Sequence, residues 1–281
     1  MILVTGSSGL VGHEVANRLA GRAPVRLALH SPARGGDGAA GADRVRFDFG
    51  DPETFGAALR GVGRVFLLRP PRLVRPRRDF GPFVAAMRRA GVAQVVFLSV
   101  RGAARNRLLP HHGIEKLLEA SGLAWTHLRP NDFMQNLATV HRADIRDRGE
   151  IWAPAGRGRT SFVDARDVAE AAVRTLTEPG HDRRAYALTG GEAFDLEEVA
   201  VLLSRALDRP VAYRNPGIPA FLRHDRAAGR PFALGLVMAG VYTAARLGLA
   251  AEVTPDLARL LGRPPTALRS FIEDYQAVWR Q

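Results

Sequence analysis

The sequence predicts an α/β protein with a doubly wound parallel sheet and a smaller, mainly helical region. Three observations predict it: short apolar runs, helical segments between them, and a change of pattern after Pro130. Strands that are covered on both faces carry continuous rather than alternating apolar residues, and the runs have that form. They span Ile2–Thr5, Val25–Leu29, Arg44–Phe47, Arg64–Leu68, Gln94–Leu98 and Ala124–Leu128.

Apolar residues at helical spacing occupy most of the gaps between these runs. The predicted helices span Leu10–Ala20, Pro52–Arg60, Asp79–Ala90 and His111–Ser121. Strands that alternate with helices pair in parallel, because each crossover helix carries the chain back along the sheet. Residues 31–43 are rich in Gly and Ala and lack an apolar period, so they form either a loop or a degenerate crossover helix.

The order of elements changes after Pro130. The predicted elements are a helix over Asn131–Arg146, a strand over Glu150–Ala153, a helix over Arg166–Leu176 and a strand over Tyr186–Thr189, with helices dominating from Asp195 onward. We therefore expect residues 1–130, continued by about 155–190, to form the sheet domain. Residues 131–154 and 191–281 are expected to form a smaller region over the carboxyl ends of the strands, where ligands of open α/β sheets bind.

The composition excludes several kinds of site. The 281 residues include no cysteine, which excludes disulfides, thiolate metal sites, thiol catalysis and iron–sulfur chemistry. No other residues have the pattern of a metal site, so none is expected. No basic segment precedes an apolar one at the start of the chain, and we expect a cytoplasmic protein without a secretory signal.

The net charge of +12 would suit a nucleic-acid partner, but its distribution does not. All cationic residues except Lys116 are arginines, and they are spread along the chain. The densest run, residues 69–78, is broken by prolines and contains no aromatic residue for base stacking. The most apolar stretch, residues 232–249, is interrupted by Arg246 and falls short of the roughly 20 residues that span a bilayer. We expect neither nucleic acid nor a membrane as a partner.

A glycine-rich turn lies between the first strand and the first helix. Gly6 gives the φ freedom of a tight turn, Gly9 leaves room for a pyrophosphate, and Gly12 lets the helix pack on the strand. The helix start behind them presents free N–H groups to phosphates. This context predicts a Rossmann-type dinucleotide site that includes Gly6, Ser7, Ser8, Gly9, Leu10, Val11 and Gly12.

The residues after the second strand indicate which dinucleotide binds. NAD sites usually carry an acid there for the ribose, but this chain has His30 and Ser31, with Arg34 nearby and Arg69 after the fourth strand. NADP(H) is therefore favoured over NAD(H), because a guanidinium suits a 2′-phosphate. Asp48 either accepts a hydrogen bond from adenine or forms a turn. Further candidate cofactor contacts are Phe49, Leu68, Pro70, Ser99, Pro130, Asn131 and Phe133.

With these residues, the chain resembles the NmrA-like branch of the atypical short-chain dehydrogenases/reductases over nearly its whole length. The resemblance rests on residues 4–12 (VTGSSGLVG), 48–52 (DFGDP), 65–68 (VFLL), 97–99 (FLS), 121–126 (SGLAWT), 128–130 (LRP), 133–136 (FMQN) and 162–169 (FVDARDVA). The closing residues 261–265 (LGRPP) are similar to bacterial quinone and azo-dye reductases of that branch. The branch also contains redox-sensing regulators that bind the dinucleotide without turning it over.

The Tyr-x-x-x-Lys pair of ordinary short-chain dehydrogenases is absent. Two registers compete in the matching segment: His111 with Glu115, or His112 with Lys116 in the Tyr/Lys spacing. The resemblance favours the first. His111 is then a candidate proton donor, against the alternative that it faces solvent or orients a loop. Glu115 is expected to be structural, bonding to the helix start or to Arg129.

Two further residues are candidates for catalysis. Lys116 is the single lysine of the chain, and Ser99 ends the fifth strand, where short-chain dehydrogenases keep a hydroxyl that orients substrate. For Ser99, helix capping or turn formation is the alternative. Candidate substrate-binding residues, each with a core role as the alternative, are Phe133, Asn136, Trp152, Phe162 and Tyr242.

The resemblance implies an NAD(P)H-dependent oxidoreductase that transfers hydride to a quinone, an enone or an aromatic ketone. Such acceptors need little acid help, which suits a chain without the Tyr/Lys pair. The alternative is a non-catalytic NAD(P) sensor that acts through a protein partner. The expected partner of the reductase is a small apolar or aromatic substrate, and the sequence is compatible with a homodimer.

Overall fold

Within residues 1–31, 39 and 41–280, which the computed structural model describes, seven parallel strands form one sheet. Their order along the sheet is β3, β2, β1, β4, β5, β6, β8, so the winding direction reverses between β1 and β4. The strands are β1 (Ile2–Thr5), β2 (Val25–Leu29), β3 (Asp43–Arg46), β4 (Arg64–Leu68), β5 (Gln94–Leu98), β6 (Ala124–Pro130) and β8 (Arg184–Leu188). The predicted fold class is confirmed, with boundary shifts of one or two residues.

The helices follow the strands in the alternating order that the sequence predicts. They are α1 (Leu10–Leu19), α2 (Glu53–Leu59), α3 (Pro76–Arg89), α4 (Pro110–Glu119), α5 (Gln135–Ala138), α6 (Ala165–Thr177), α7 (Leu196–Leu207), α8 (Ile218–Ala227), α9 (Phe232–Arg246), α10 (Asp256–Leu261) and α11 (Leu268–Tyr275). None of these described helices combines the length and apolarity that a bilayer crossing requires. Helix α1 packs against α6, whereas α2, α3 and α4 pack against one another in series.

The chain divides into two compact units. Unit 1 contains Met1–Pro130, Ala165–Leu188 and Arg259–Gly262, and unit 2 contains Asn131–Asp164, Thr189–Ala258 and Arg263–Gln281. Residues 155–164, which we expected in the sheet domain, lie in unit 2. The reason is local, because Thr160 pairs with Phe194 and the Ser161 backbone N–H donates to the Ala250 carbonyl.

Unit 1 is held together by strands that are apolar on both faces and by an aromatic cluster. The two central strands are fully buried at three positions each, Val65, Phe66 and Leu67 in β4 and Val95, Val96 and Phe97 in β5. The rings of Phe47, Phe49 and Phe83 pack with centroids 4.8–5.5 Å apart. This packing fixes the strands whose carboxyl ends carry the candidate site.

The predicted helix over Asn131–Arg146 is wrong. The structure has the short helix α5 there and a π-helix over Asp144–Arg148. The cause is a tertiary pairing: Met134 N–H donates to the Val163 carbonyl, and Val163 N–H donates to the Asp132 carbonyl, both at 2.9 Å. Backbone groups used in this way cannot form the first turns of a helix.

Unit 2 has its own core and a small parallel sheet. Strand β7 (Glu150–Trp152) pairs with β9 (Ala212–Arg214), and β9 was missed because three residues show no measurable period. Trp279 is fully buried, and its indole N–H donates to the Leu137 carbonyl at 3.0 Å. Helix α7 begins with a capping box between Asp195 and Glu198.

Candidate active site

The glycine turn after β1 has the geometry of a phosphate cradle. Gly6 adopts a φ of +65°, a conformation that favours glycine, and its carbonyl accepts the Gly9 N–H at 2.9 Å. A Cβ on Gly12 would overlap the Gly6 carbonyl oxygen and lie 2.6 Å from its carbon, so the helix start and the turn are in closest contact there. Helix α1 has no side-chain cap at Gly9. Its first N–H groups therefore remain for an anionic ligand.

Two further observations show that the turn fits a dinucleotide. The hydroxyl oxygen of Ser7 is enclosed and has no hydrogen-bond partner in the described structure. A Cβ on Gly9 would have one neighbour, the Gly6 oxygen at 3.3 Å, so the space in front of Gly9 is open on the ligand side. An orphaned hydroxyl beside free N–H groups is what a bound phosphate would satisfy.

The candidates for the second sugar lie at the ends of β2 and β3. The His30 side chain is 75% exposed, and its Nδ1 lies 3.2 Å from an Asp48 carboxylate oxygen. The other Asp48 oxygen accepts the Gly50 N–H at 2.9 Å, which is the turn-forming role that we kept open. Ser31 is exposed, and Arg34 lies outside the described residues.

Arg69 closes the loop that follows β4. Its Nη1 donates to the carbonyl oxygens of Pro70, Pro71 and Leu73 at 2.9–3.1 Å. Its Nε donates to Nε2 of His111 at 3.2 Å. Burial lowers the pKa of the guanidinium. These contacts engage Arg69 within unit 1, in a way that the sequence did not indicate.

His111 lies in the first turn of α4 and is held in a neutral form. Burial, followed by the charge of Arg69, lowers the pKa of its imidazole to about 4, although Glu115 acts in the opposite direction. Since Nε2 accepts a hydrogen bond from Arg69, the ring proton belongs on Nδ1. Nδ1 is enclosed and has no partner, and the ring stacks on Phe97 with centroids 6.0 Å apart.

Glu115, one turn later, is the centre of a buried ion pair. Arg129 donates to both carboxylate oxygens, at 2.9 and 2.8 Å, and the Ser99 hydroxyl donates to Oε1 at 2.6 Å. Burial alone would raise the pKa of Glu115, but the hydrogen bonds from Arg129 and Ser99 outweigh it and lower the pKa. The Glu115–Arg129 pair is the structural role that the sequence suggested. The hydrogen bond that the Ser99 hydroxyl can donate is thus used by Glu115.

The second candidate pair at the start of α4, His112 and Lys116, also has partners within unit 1. The Nδ1 of His112 lies 2.8 Å from the Ala103 carbonyl, and Lys116 is exposed with its Nζ 2.6 Å from Glu119. The ligand atoms of Glu115, Glu119 and His127 come within 4.8 Å of one another. The two carboxylates already pair with Arg129 and Lys116, so this group is an ion-pair network.

Unit 2 contains a narrow pocket next to the segment that follows β6. Its lining includes Asp132, Asn136, His141, Phe162, Leu196 and Tyr242. Three of these, Asn136, Phe162 and Tyr242, are candidates that the sequence predicted, whereas Asp132 and His141 were missed. Trp152 instead packs on the core of unit 2 and stacks on His224 with centroids 4.8 Å apart. Phe133 is half-buried and pairs with Val163.

The polar groups of this pocket have displaced pKa values. Burial raises the pKa of Asp132 to about 6, against hydrogen bonds from Asn136 and the Phe133 N–H. Burial lowers the pKa of His141 to about 4. The Tyr242 hydroxyl lies 2.9 Å from Nε2 of the neutral His141 imidazole. Burial raises the pKa of the Tyr242 hydroxyl well above its ordinary value.

Two further predicted cofactor contacts lie where β6 ends. Pro130 is the last residue of β6, and its carbonyl accepts the Arg101 N–H at 2.9 Å. The amide of Asn131 donates to the Ser161 hydroxyl and to the Ala250 carbonyl, each at 2.8 Å. The side chain of Asn131 therefore ties its own segment into unit 2.

A seven-stranded parallel sheet with a glycine turn at its switch point defines a dinucleotide-binding protein of the Rossmann type. The NAD(P)H-binding protein family matches residues 6–179. The chain is 34% identical over 289 residues to the NAD(P)H azoreductase of Xenophilus azovorans, covering 99% of both chains. It is 35% identical over 280 residues to the (4-alkanoyl-5-oxo-2,5-dihydrofuran-3-yl)methyl phosphate reductase of Streptomyces griseus, covering 98% of both.

Among solved structures, the NADPH complex of the Escherichia coli quinone oxidoreductase QOR2 superposes with a TM-score of 0.89 at 27% identity. The match covers 98% of this chain and 99% of the other. The chain belongs to the NAD(P)H-binding family, and the resemblance to NmrA-like reductases is confirmed. It is an NAD(P)H-dependent oxidoreductase.

Proposed function

We propose that the protein passes hydride from NADPH to a flat, poorly charged acceptor such as a quinone, an enone or an aromatic ketone. One observation carries the proposal: Ser99 and Lys116 are engaged elsewhere, and His111 is a neutral imidazole rather than an acid. Ser99 donates to Glu115, Lys116 pairs with Glu119 at the surface, and His111 is neutral beside Arg69. Acceptors whose reduced form is a stabilised anion tolerate this arrangement, because protonation need not accompany hydride transfer.

The chain's own residues divide the remaining tasks. The turn from Gly6 to Gly12 would hold the pyrophosphate through backbone N–H groups, with the orphaned Ser7 hydroxyl as a further donor. The bound cofactor supplies the hydride. His111 would act as a neutral hydrogen-bond donor through Nδ1, which is enclosed and has no partner among the described residues, because Arg69 occupies its other nitrogen. A neutral imidazole can polarise a carbonyl oxygen without giving up its proton.

The preference for NADPH over NADH is the second part of the proposal. It is supported by the absence of an acid at the end of β2, where His30 and Ser31 stand, and by Arg34 nearby in the sequence. We expect tighter binding of NADPH than of NADH in a fluorescence titration. Arg34→Ala should weaken NADPH selectively, by about 1–3 kcal/mol if the ion pair is partly desolvated. Equal affinities for the two cofactors, or tighter NADH, would contradict this preference.

Turnover tests the function itself. The purified protein is mixed with NADPH and a panel of quinones, enones and aromatic ketones, and NADPH oxidation is followed by absorbance. We expect oxidation that depends on the acceptor and is faster with quinones than with ketones. Tight NADPH binding without oxidation by any acceptor would instead favour the sensor that the sequence left as the alternative.

A further inference from the structure

Helix α9 in unit 2 presents an apolar face to solvent. The exposed residues between positions 232 and 241 are all apolar, and the larger ones are Phe232, Leu234, Leu236, Val237 and Val241. Val237 is the most exposed of them, at 62%. Proteins that act alone in water usually scatter their exposed apolar side chains singly. A continuous apolar helix face therefore indicates a surface that another body covers.

The opposite side of α9 is fixed in the core of unit 2. Met238, Ala239 and Tyr242 are buried there, together with Gly235 and Ala245. At about 100° per residue, these five buried positions fill an arc of about 120°, and the exposed apolar positions lie outside it. The helix cannot turn its exposed face inward without unpacking this core. The apolar character of the exposed face is thus not explained by folding.

The exposed charged groups of α8 and α9 are arginines. Helix α8 packs along α9, where Asp225 lies beside Gly235. The exposed side of α8 carries Arg223 and Arg226, which share one helix face because they are three residues apart. Arg246 is exposed at the end of α9. Among the described residues no acid pairs with any of these three arginines.

The exposed charge of residues 216–251 has one sign. The single acid of this segment, Asp225, is buried and pairs with Arg230. The segment therefore exposes apolar side chains and guanidinium groups. An anionic lipid bilayer complements both, because apolar side chains enter the boundary between headgroups and acyl chains while cations lie against the lipid phosphates.

A second copy of the chain fits this face less well. Helix α9 has 15 residues, so its exposed face measures roughly 22 Å by 10 Å, or about 220 Å². A stable protein–protein interface needs about 800 Å² from each partner. Pairing two copies through α9 would also bring together two surfaces of the same charge.

We propose that the protein attaches to anionic lipid bilayers through the exposed face of α9, with Arg223, Arg226 and Arg246 contacting lipid phosphates. In this arrangement α9 lies along the surface of the bilayer. The sequence led us to expect no membrane partner because residues 232–249 are too short to cross a bilayer. A helix that lies on the surface needs no such length.

The attachment goes beyond the proposed function. Planar, poorly charged acceptors partition into the apolar part of a bilayer, so an attached protein would meet them at a raised concentration. Attachment itself requires no turnover. The experiment therefore measures binding to vesicles, and a protein that failed to transfer hydride would still give a clear result.

Vesicle flotation tests the attachment with the full-length protein. The vesicles contain phosphatidylcholine alone or phosphatidylcholine mixed with phosphatidylglycerol. We expect at least about tenfold stronger binding to the anionic vesicles, because each arginine near the surface adds to the affinity. Raising the salt concentration from about 0.1 M to about 0.5 M should weaken the binding without abolishing it, since salt screens charges but not apolar insertion.

The double variant Leu236→Gln/Val237→Gln removes apolar side chains without changing the charge. Both side chains are exposed, so thermal unfolding should be nearly unchanged. Binding to anionic vesicles should fall at least about tenfold. Leu108→Gln is the matched control, because Leu108 is 92% exposed in unit 1. Its vesicle binding should equal that of the wild type.

A second pair of variants tests the arginines. Arg223→Ser/Arg226→Ser should weaken binding to anionic vesicles by about fivefold for each arginine removed. Arg88→Ser/Arg89→Ser removes the same charge from an exposed part of α3 in unit 1. This control should bind much like the wild type.

Phe232→Trp provides a direct signal of insertion, because Phe232 is exposed at the start of α9. Its fluorescence should shift to the blue when anionic vesicles are added, and acyl chains that carry bromine should quench it. The response should exceed that of the wild-type protein. This variant also tests the proposal if the double glutamine variant does not fold.

Several outcomes would overturn the attachment. One is a wild-type protein that does not float with anionic vesicles. Another is unchanged binding in Leu236→Gln/Val237→Gln, or equal weakening in the two arginine pairs, because either would show a general attraction of a basic protein. A dimer in light scattering that becomes a monomer in the double glutamine variant would assign the face to a second copy instead.

Discussion

Valine at position 9 should abolish cofactor binding while leaving the fold intact. Gly9 has φ −93° and ψ 169°, an extended conformation that any residue adopts, so no backbone strain follows from the substitution. The new Cβ meets one atom, the Gly6 oxygen at 3.3 Å. The two methyl groups would stand in front of the free N–H groups of α1, where the pyrophosphate must approach.

The expected losses of stability and of NADPH affinity differ sharply between substitutions at Gly9 and at Gly12. For Gly9→Val we expect the free energy of unfolding to change by less than about 1 kcal/mol. We expect NADPH to bind at least about a hundredfold more weakly, which corresponds to about 2.7 kcal/mol. For Gly12→Ala the Cβ overlaps the Gly6 carbonyl, so backbone must move and about 1–3 kcal/mol of stability is lost.

The assay measures both quantities on the same samples. Thermal unfolding without cofactor should separate Gly12→Ala, with Tm lower by about 2–4 °C per kcal/mol, from an almost unshifted Gly9→Val. Fluorescence titration with NADPH should show lost binding in Gly9→Val. Wild-type NADPH affinity in folded Gly9→Val would refute the reasoning, because the turn would then be structural only.

Two further outcomes are expected. His111→Ala should lower the rate with a ketone acceptor about a hundredfold and the rate with a quinone by less, while the Kd for NADPH stays nearly unchanged. Full activity of the variant on every acceptor would make His111 a structural residue and direct attention to His112. The free energy of unfolding should fall as the pH is lowered from about 6.5 to 4, since the unfolded chain protonates His111, His127 and His141 near 6.5 whereas the folded chain does so only near 4. Asp132, whose pKa is raised to about 6 in the folded chain, acts in the opposite direction. Each group contributes a slope of up to about 1.4 kcal/mol per pH unit, so denaturant titrations should show a net slope of up to about 2.7 kcal/mol per pH unit, and a flat profile would contradict the burial of neutral imidazoles.

The elements of unit 1 could be predicted because local and tertiary signals agree there. The strands from Ile2–Thr5 to Gln94–Leu98 are short apolar runs bounded by polar residues, and their burial on both faces requires that composition. The helix predicted over residues 131–146 is wrong for the opposite reason, because local and tertiary signals disagree there. The helical spacing of these residues is real, but Phe133 and Met134 pair with Val163, about thirty residues away, and no local pattern records such a partner.

The candidate site likewise has one part that the sequence predicts and one part that it does not. The glycine turn is readable because its chemistry uses backbone groups, so the spacing of Gly6, Gly9 and Gly12 is itself the signal. Asp132 carried no such signal, because an acid after a strand is typical of turns and caps. Its enclosure depends on residues as distant as Tyr242, which the fold alone brings to the same pocket. The contacts of Arg69 with His111 are equally invisible in the sequence.

The ion pair of Glu115 explains why the register of His111 and Glu115 cannot carry the Tyr/Lys pair of ordinary short-chain dehydrogenases. Placing Tyr at 111 and Lys at 115 would recreate the Tyr-x-x-x-Lys spacing on α4. The new ammonium would then lie beside the Arg129 guanidinium without the carboxylate that now neutralises it, and two cations would share a buried site. The Ser99 hydroxyl would also lose its acceptor. In the register of His111, the interior of unit 1 is thus committed to a carboxylate at position 115.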